Sequence, residues 1–124
     1  MKVLLSIKPK YVQKIFSGQK KFEFRKNIFK KNISSVVIYS SSPVKKIVGE
    51  FTIKNILEGK IEYIWQQTYK FAGITKEEYL SYFNKKNKAF AIEINEIKKY
   101  NNPIDPLILF SKNFTPPQSY KYIT

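Results

Sequence analysis

The sequence predicts a single α+β domain spanning residues 1–124, built on a mainly antiparallel sheet. The first observation is the order of the periodic segments: strand, helix, three strands, two helices, then strands. The second is the abrupt change of period at Gly18, where a helical stripe ends and a two-residue alternation begins. The third is that 124 residues with 43% hydrophobic and 16% aromatic content can bury a core of their own. Neither an internal repeat nor an interdomain linker interrupts the chain.

Val3 to Ile7 is an apolar run expected as a buried strand. Pro9 suits the first position of a helix. Tyr11, Val12, Ile15 and Phe16 form that helix's apolar stripe, with Lys10 and Lys14 toward the other side. Gly18 can adopt the left-handed conformation that closes a helix. From Lys21 to Arg25 polar and aromatic residues alternate as in a half-buried strand. Asn27 to Asn32 is a basic connection in which Ile28 and Phe29 tuck inward. Ser35 to Ser41 is a strand covered on both faces, and Ser40-Ser41-Ser42-Pro43 is a hydroxyl-rich loop. In the strand from Ile47 to Leu57, Ile47, Gly49, Phe51 and Ile53 are expected on one face, and Gly49 marks a bulge or a close approach.

Ile61, Ile64, Trp65, Thr68, Phe71 and Ala72 recur at helical spacing until Gly73 stops the helix. Trp65 reads as core. Thr75 and Glu78 make a capping box for a second helix, whose Tyr79, Leu80 and Phe83 are expected to face the core. Ala89 to Ile97 is a strand with Phe90, Ile92 and Ile94 inward. After Tyr100 the prolines predict an irregular chain, with short strands at Leu107–Phe110 and Ser119–Ile123.

Charge is the strongest compositional signal. The net is +14, with 23 basic and 9 acidic residues. Residues 1–60 carry 14 basic and 3 acidic side chains, against 9 and 6 in residues 61–124. A coding bias toward lysine does not explain why carboxylates are scarce in the first half. Such a lopsided basic surface favours a polyanion, foremost a nucleic acid, over a merely lysine-coated surface. Cysteine and histidine are both absent, which excludes disulfides, the usual zinc ligands and histidine-based triads. The carboxylates are scattered without ligand spacing, so no metal and no cofactor are expected. No apolar run is long enough for a signal peptide or a membrane span, so a cytoplasmic protein is expected.

Chemistry concentrates in Gly18-Gln19-Lys20-Lys21-Phe22-Glu23-Phe24-Arg25. Phe22 and Phe24 share one strand face and Lys21, Glu23 and Arg25 the other, while Lys20 can swing to either. Arg25 is the one arginine among the 23 basic residues. Its retention in a lysine-rich chain points to a need for a planar, two-pronged donor. The alternative is an exposed Glu23–Arg25 pair worth at most about 1 kcal/mol.

These residues resemble a known signature. Gly18-x-Lys20-x-x-Glu23-x-Arg25 is similar to the G-x-K-x-x-E-x-R motif of ASCH domains, members of the PUA-like superfamily. Leu5-Ser6-Ile7-Lys8-Pro9, Tyr39-Ser40-Ser41-Ser42-Pro43, Val48-Gly49-Glu50-Phe51 and Pro116-Pro117-Gln118-Ser119 extend the likeness over most of the chain. The resemblance implies a PUA-like small β-barrel with about three flanking helices, and it alone specifies closure into a barrel.

The resemblance also implies an RNA- or nucleotide-binding module, of a kind that can serve regulation, with a basic cleft at the motif. Arg25 and Lys20 would receive phosphate or a base edge, and Glu23 would accept from a base or orient Arg25. Lys8, Ser41 and Gln118 are further candidates, with Tyr39 or Tyr11 stacking on a base. The alternative is a small hydrolase acting on acylated cytidine or on RNA, with Lys20 and Glu23 catalytic. Lys20 would then be a base or nucleophile of lowered pKa. In the amidohydrolase branch a threonine stands where this chain has Glu23, a departure that weighs against that activity. The expected partner is RNA or a nucleotide-like ligand and not a membrane; oligomeric state is left open.

Overall fold

A computed structural model of the chain describes residues 1–111 and 113–123. The strands are β1 (Lys2–Ile7), β2 (Phe22–Arg25), β3 (Ser35–Ser40), β4 (Lys46–Gly59), β5 (Ala89–Ile104) and β6 (Lys121–Ile123). The helices are α1 (Pro9–Phe16), α2 (Ile61–Thr68), α3 (Lys76–Tyr82) and the single turn α4 (Pro106–Leu109). A 3-10 turn, Tyr69–Phe71, extends α2. The six strands form one mixed sheet in the order β2-β5-β4-β3-β1-β6. The β1–β3 pairing is parallel and the others are antiparallel.

Closure into a barrel, as expected from the resemblance, is not seen among the described residues. β2 and β6 are the two outer strands of an open sheet, and no ladder joins them. They are four and three residues long, too short to pair extensively. A side chain spans the gap instead: Arg25 Nη2 donates to the Ser119 carbonyl at 2.5 Å.

Three apolar clusters hold the sheet. Under α1, Val12 and Ile15 pack on Val3, Leu5, Val36, Ile38, Phe51 and Ile92. Between β2, β5 and the α2–α3 pair lie Phe22, Phe24, Ile64, Tyr79, Phe83 and Ala91. The reverse face of β1, β3 and β4 buries Leu4, Val37, Tyr39 and Ile47 beneath Tyr100, Ile104, Phe110 and Phe114. Each fully buried large side chain contributes about 1.5–3 kcal/mol.

Two glycines end helices as their positions require, with φ +83° at Gly18 and +69° at Gly73. The Thr75–Glu78 capping box is present in both directions. Gly49 satisfies both alternatives at once. Register shifts flank it in β4, and a Cβ there would lie 2.6 Å from the Lys98 carbonyl and 2.8 Å from the Phe16 ring.

Several expectations need correcting. The bulge at Gly49 breaks the alternation, so Ile47 joins the reverse-face cluster while Phe51 packs under α1. Leu80 is 41% exposed, because Tyr79 and Phe83 already fill the space between α3 and the sheet. Phe90 is only half-buried, whereas Ile92 and Ile94 are buried. β5 runs on through Pro103 to Ile104, where Ile104 pairs with Ile47 of β4. Leu107–Phe110 is not a strand. Asp105 caps a helical turn by accepting from the Leu107 N–H at 2.9 Å, and Pro106 occupies the first helical position.

Candidate functional site

β2 pairs with β5 along one edge only, and a cleft of about 380 Å³ opens beside its residues. Glu23, Phe24 and Arg25 line it from β2, Ser6, Ile7 and Lys8 from the end of β1, and Lys10 and Tyr11 from α1. Lys20 enters from the turn before β2, Ile74 from the turn before α3, and Glu78, Ser81 and Tyr82 form the α3 wall. Both faces of β2 contribute, as befits an unpaired edge.

Lys20 is the most constrained of these residues. It is 2% exposed, and its Nζ donates to the Ala72 carbonyl at 2.7 Å. The same ammonium lies 4.8 Å over the Phe24 ring and 5.2 Å from that of Tyr11. Its stem runs past Gly73, where a Cβ would fall 2.5 Å from the Lys20 Cβ. Gly73 therefore both stops the helix and leaves a slot for the lysine. Burial lowers the Lys20 pKa to about 8, with Lys14 adding to the fall while Glu23 and Glu78 oppose it. An amine so placed exchanges its proton near neutral pH.

Glu23 and Arg25, two residues apart on one strand face, form an ion pair at 3.2 Å with side chains 9% and 11% exposed. This is not the exposed pair that spacing alone allows. The guanidinium is also engaged at Ser119, so two of its five donors are committed. A second network faces the trio. Glu78 accepts from Tyr11 Oη at 2.8 Å and Lys10 Nζ at 3.1 Å. The Thr75 backbone N–H, then Tyr11 and Lys10, lower the Glu78 pKa to about 2. Burial raises the Tyr11 hydroxyl, and Glu78 raises it further.

The cleft thus gathers Lys8, Tyr11, Lys20, Glu23 and Arg25. Tyr39 stands apart. It is 3% exposed on the reverse face of the sheet, its ring 5.4 Å from that of Phe114, which leaves no face for a base. Ser41 is half-buried beyond β3; its N–H bonds to the Ile7 carbonyl at 2.9 Å, next to the cleft but not lining it. Gln118 is exposed and precedes the Ser119 that Arg25 holds. Lys10, Glu78, Ser81 and Tyr82 are cleft residues that reading for motifs passes over. A signal for three of them exists: positions 78, 81 and 82 share one helix face. Among the described residues no cluster of acidic side chains could hold a metal ion, and no helix is long and apolar enough to cross a membrane.

With this geometry in hand, comparisons assign the family. The crystal structure of ASCH from Zymomonas mobilis superposes with a TM-score of 0.90 at 29% identity, over 99% of this chain and 87% of that one. A Zymomonas mobilis protein named ASCH domain-containing ribonuclease is 29% identical over 97% of this chain and 82% of its own length. The model of a family described as a domain of unknown function, DUF365, matches residues 1–113. The chain belongs to the DUF365 family and is an ASCH domain. Large ribosomal subunit protein uL22 of Ureaplasma parvum is 34% identical over 98% of this ASCH domain. The domain spans only 39% of the length of that curated relative. Lys20, Glu23 and Arg25, the residues that resemble the ASCH signature, lie at the unpaired edge of β2.

Proposed function

We propose that this ASCH domain binds RNA and seats one nucleotide in the cleft beside β2. The observation that carries the reading is the convergence of Lys8, Lys10, Lys20 and Arg25 on one hollow. Glu78 and Glu23 pair with Lys10 and Arg25; Lys8 and Lys20 have no carboxylate partner among the described residues, and Arg25 keeps three of its five donors for a phosphate. Tyr11 offers a ring for a base, and the lysine-rich surface supplies affinity that falls steeply with salt. The name of the ribonuclease relative, which shares most of its length with this chain, supports RNA over other polyanions.

Fluorescence anisotropy with a labelled RNA oligomer across graded salt tests the proposal. Lys20→Met and Arg25→Lys are expected to weaken binding at every salt concentration, whereas Lys→Ala changes far from the cleft flatten the salt dependence. Unaltered binding by both cleft variants removes the cleft from RNA recognition.

A second reading, RNA cleavage, is favoured by the lowered pKa of Lys20. The neutral amine would take the proton from a ribose 2′-hydroxyl as that oxygen attacks the adjacent phosphorus, and the 5′-oxygen leaves as a hydroxyl by taking a proton from water. Arg25, held by Glu23, would stabilise the charge that develops on the phosphoryl oxygens. Turnover of labelled RNA, lost in both Lys20→Met and Glu23→Gln, is the expected result; tight binding without turnover refutes cleavage. Acetylated cytidine in the same assay tests the amidohydrolase alternative, against which Glu23 argues.

A further inference from the structure

Ser81 and Tyr82 of the α3 wall have no part in the reading above, although they present the chemistry of a base site. Tyr82 lines the cleft and is 37% exposed. Its ring is held from two sides, by Phe83 edge-on at a centroid distance of 4.8 Å and by Lys26 Nζ at 4.6 Å. Burial raises the Tyr82 hydroxyl, which also lies close enough to Arg25 and Glu23 to feel their charges and accepts a hydrogen bond from the Lys26 backbone N–H, so the ring stands at the Arg25 end of the hollow. Ser81, its neighbour on the same wall, is exposed, and its hydroxyl makes no hydrogen bond among the described residues. The aromatic ring, the free hydroxyl and the ammonium are therefore side by side where the cleft meets solvent.

We infer that Tyr82, Ser81 and Lys26 form a base-recognition subsite, with the base of an RNA nucleotide stacked on Tyr82. Ser81 then reads the base edge as donor or acceptor, and Lys26 neutralises that nucleotide's phosphate. A phosphate alone would need no ring, and a protein partner would find too little apolar area here, because Lys26 already covers part of Tyr82. Charge complementarity and the planar ring together fit a nucleotide. The inference rests on RNA binding at the cleft but concerns different residues, so the two can fail separately.

The test is anisotropy of the full chain with 5′-labelled RNA homopolymers of A, C, G and U, alongside thermal melting of each variant. Tyr82→Leu keeps an apolar side chain but removes the stacking face, and a loss of affinity of roughly 5- to 150-fold is expected, the usual range for one stacked base. Tyr82→Phe, which keeps the stacking ring, should restore most of the affinity that Tyr82→Leu loses. Ser81→Ala should change the order of preference among the four bases, and Lys26→Ala should reduce the salt dependence. If Tyr82→Leu binds normally while Lys20→Met and Arg25→Lys do not, the subsite is refuted and cleft binding stands. If none of these variants changes affinity, both fall together.

Discussion

Replacing Lys20 by methionine should change how stability depends on pH, by an amount that follows from the burial of the amine. Unfolded, the lysine titrates at its ordinary 10.5; folded, it titrates at about 8. Between those values the unfolded chain binds the extra proton, so stability rises with pH across the window. Below pH 8 the folded protein carries the full cost of a buried ammonium, and the cost is relieved as pH climbs toward 10.5. Integrating the two titrations from pH 7 to pH 10 gives a gain of about 2.5 kcal/mol attributable to this one group. Methionine keeps the stem beside Gly73 but abolishes the titration. It also leaves the Ala72 carbonyl without its donor, a penalty of about 1–3 kcal/mol that does not vary with pH. Urea unfolding followed by Trp65, the sole tryptophan, packed 4.9 Å from Tyr79, gives the stabilities. The relief of lysine repulsion at high pH is common to both chains and cancels in the comparison. The stability of the unaltered chain should rise relative to Lys20→Met between pH 7 and pH 10; parallel curves would mean that Lys20 is solvated, and the description of its site would be wrong.

Three more outcomes follow from named contacts. Arg25→Lys keeps a charge but cannot reach Glu23 and the Ser119 carbonyl together, and should cost about 1–3 kcal/mol in chemical denaturation; an unchanged midpoint would show that the two-pronged hold is dispensable. Gly49→Ala drives a methyl against the Lys98 carbonyl and the Phe16 ring, so a loss of about 1–3 kcal/mol is expected, read as a lower melting temperature. Glu78→Gln bears on acid stability. The folded carboxylate titrates at about 2, below its ordinary value, so its contribution is present above pH 4.5 and lost as pH falls toward 2. The variant should show a flatter decline over that interval, measured by acid titration of helical circular dichroism, and an identical decline would exclude the Tyr11–Glu78–Lys10 network.

Local rules made much of the fold legible. Gly18, Gly73, the Thr75–Glu78 box and the wholly buried Ser35–Ser40 run each follow from short-range chemistry. Features that long-range contacts decide escaped. β5 passes Pro103 because Ile104 finds a partner in β4, and no local pattern carries that pairing. Ile47 changes face because Gly49 hosts a bulge, and a two-residue period cannot say where it slips. The site divides along the same line. Lys20, Glu23 and Arg25 meet because one short strand and its turn carry all three. Tyr39 is drawn away because the segment holding Phe110 and Phe114 folds over the reverse face of the sheet. Tyr82 sits at the last position of α3, and the helical period there marks only the core face of Tyr79 and Phe83.

The cleft and the missing closure of the sheet have one cause. β2 is four residues long and is pinned near both ends by side chains that reach past it to carbonyls: Lys20 to Ala72 at one end, Arg25 to Ser119 at the other. Lys14 reinforces the first anchor through the Gly73 carbonyl at 3.1 Å. A neighbouring strand along the free edge would have to occupy the space into which these cations point, so the edge stays open and the hollow persists. The residues most suited to meet a phosphate are thereby also the ones that hold β2 in place. A ligand that draws Arg25 toward itself competes with the Ser119 carbonyl for the same guanidinium, and part of its binding energy is spent on that exchange. Loss of binding in Arg25→Lys therefore means loss of a ligand contact only where it exceeds what the variant's own loss of stability explains, and for that reason the melting and binding measurements must be made on the same protein.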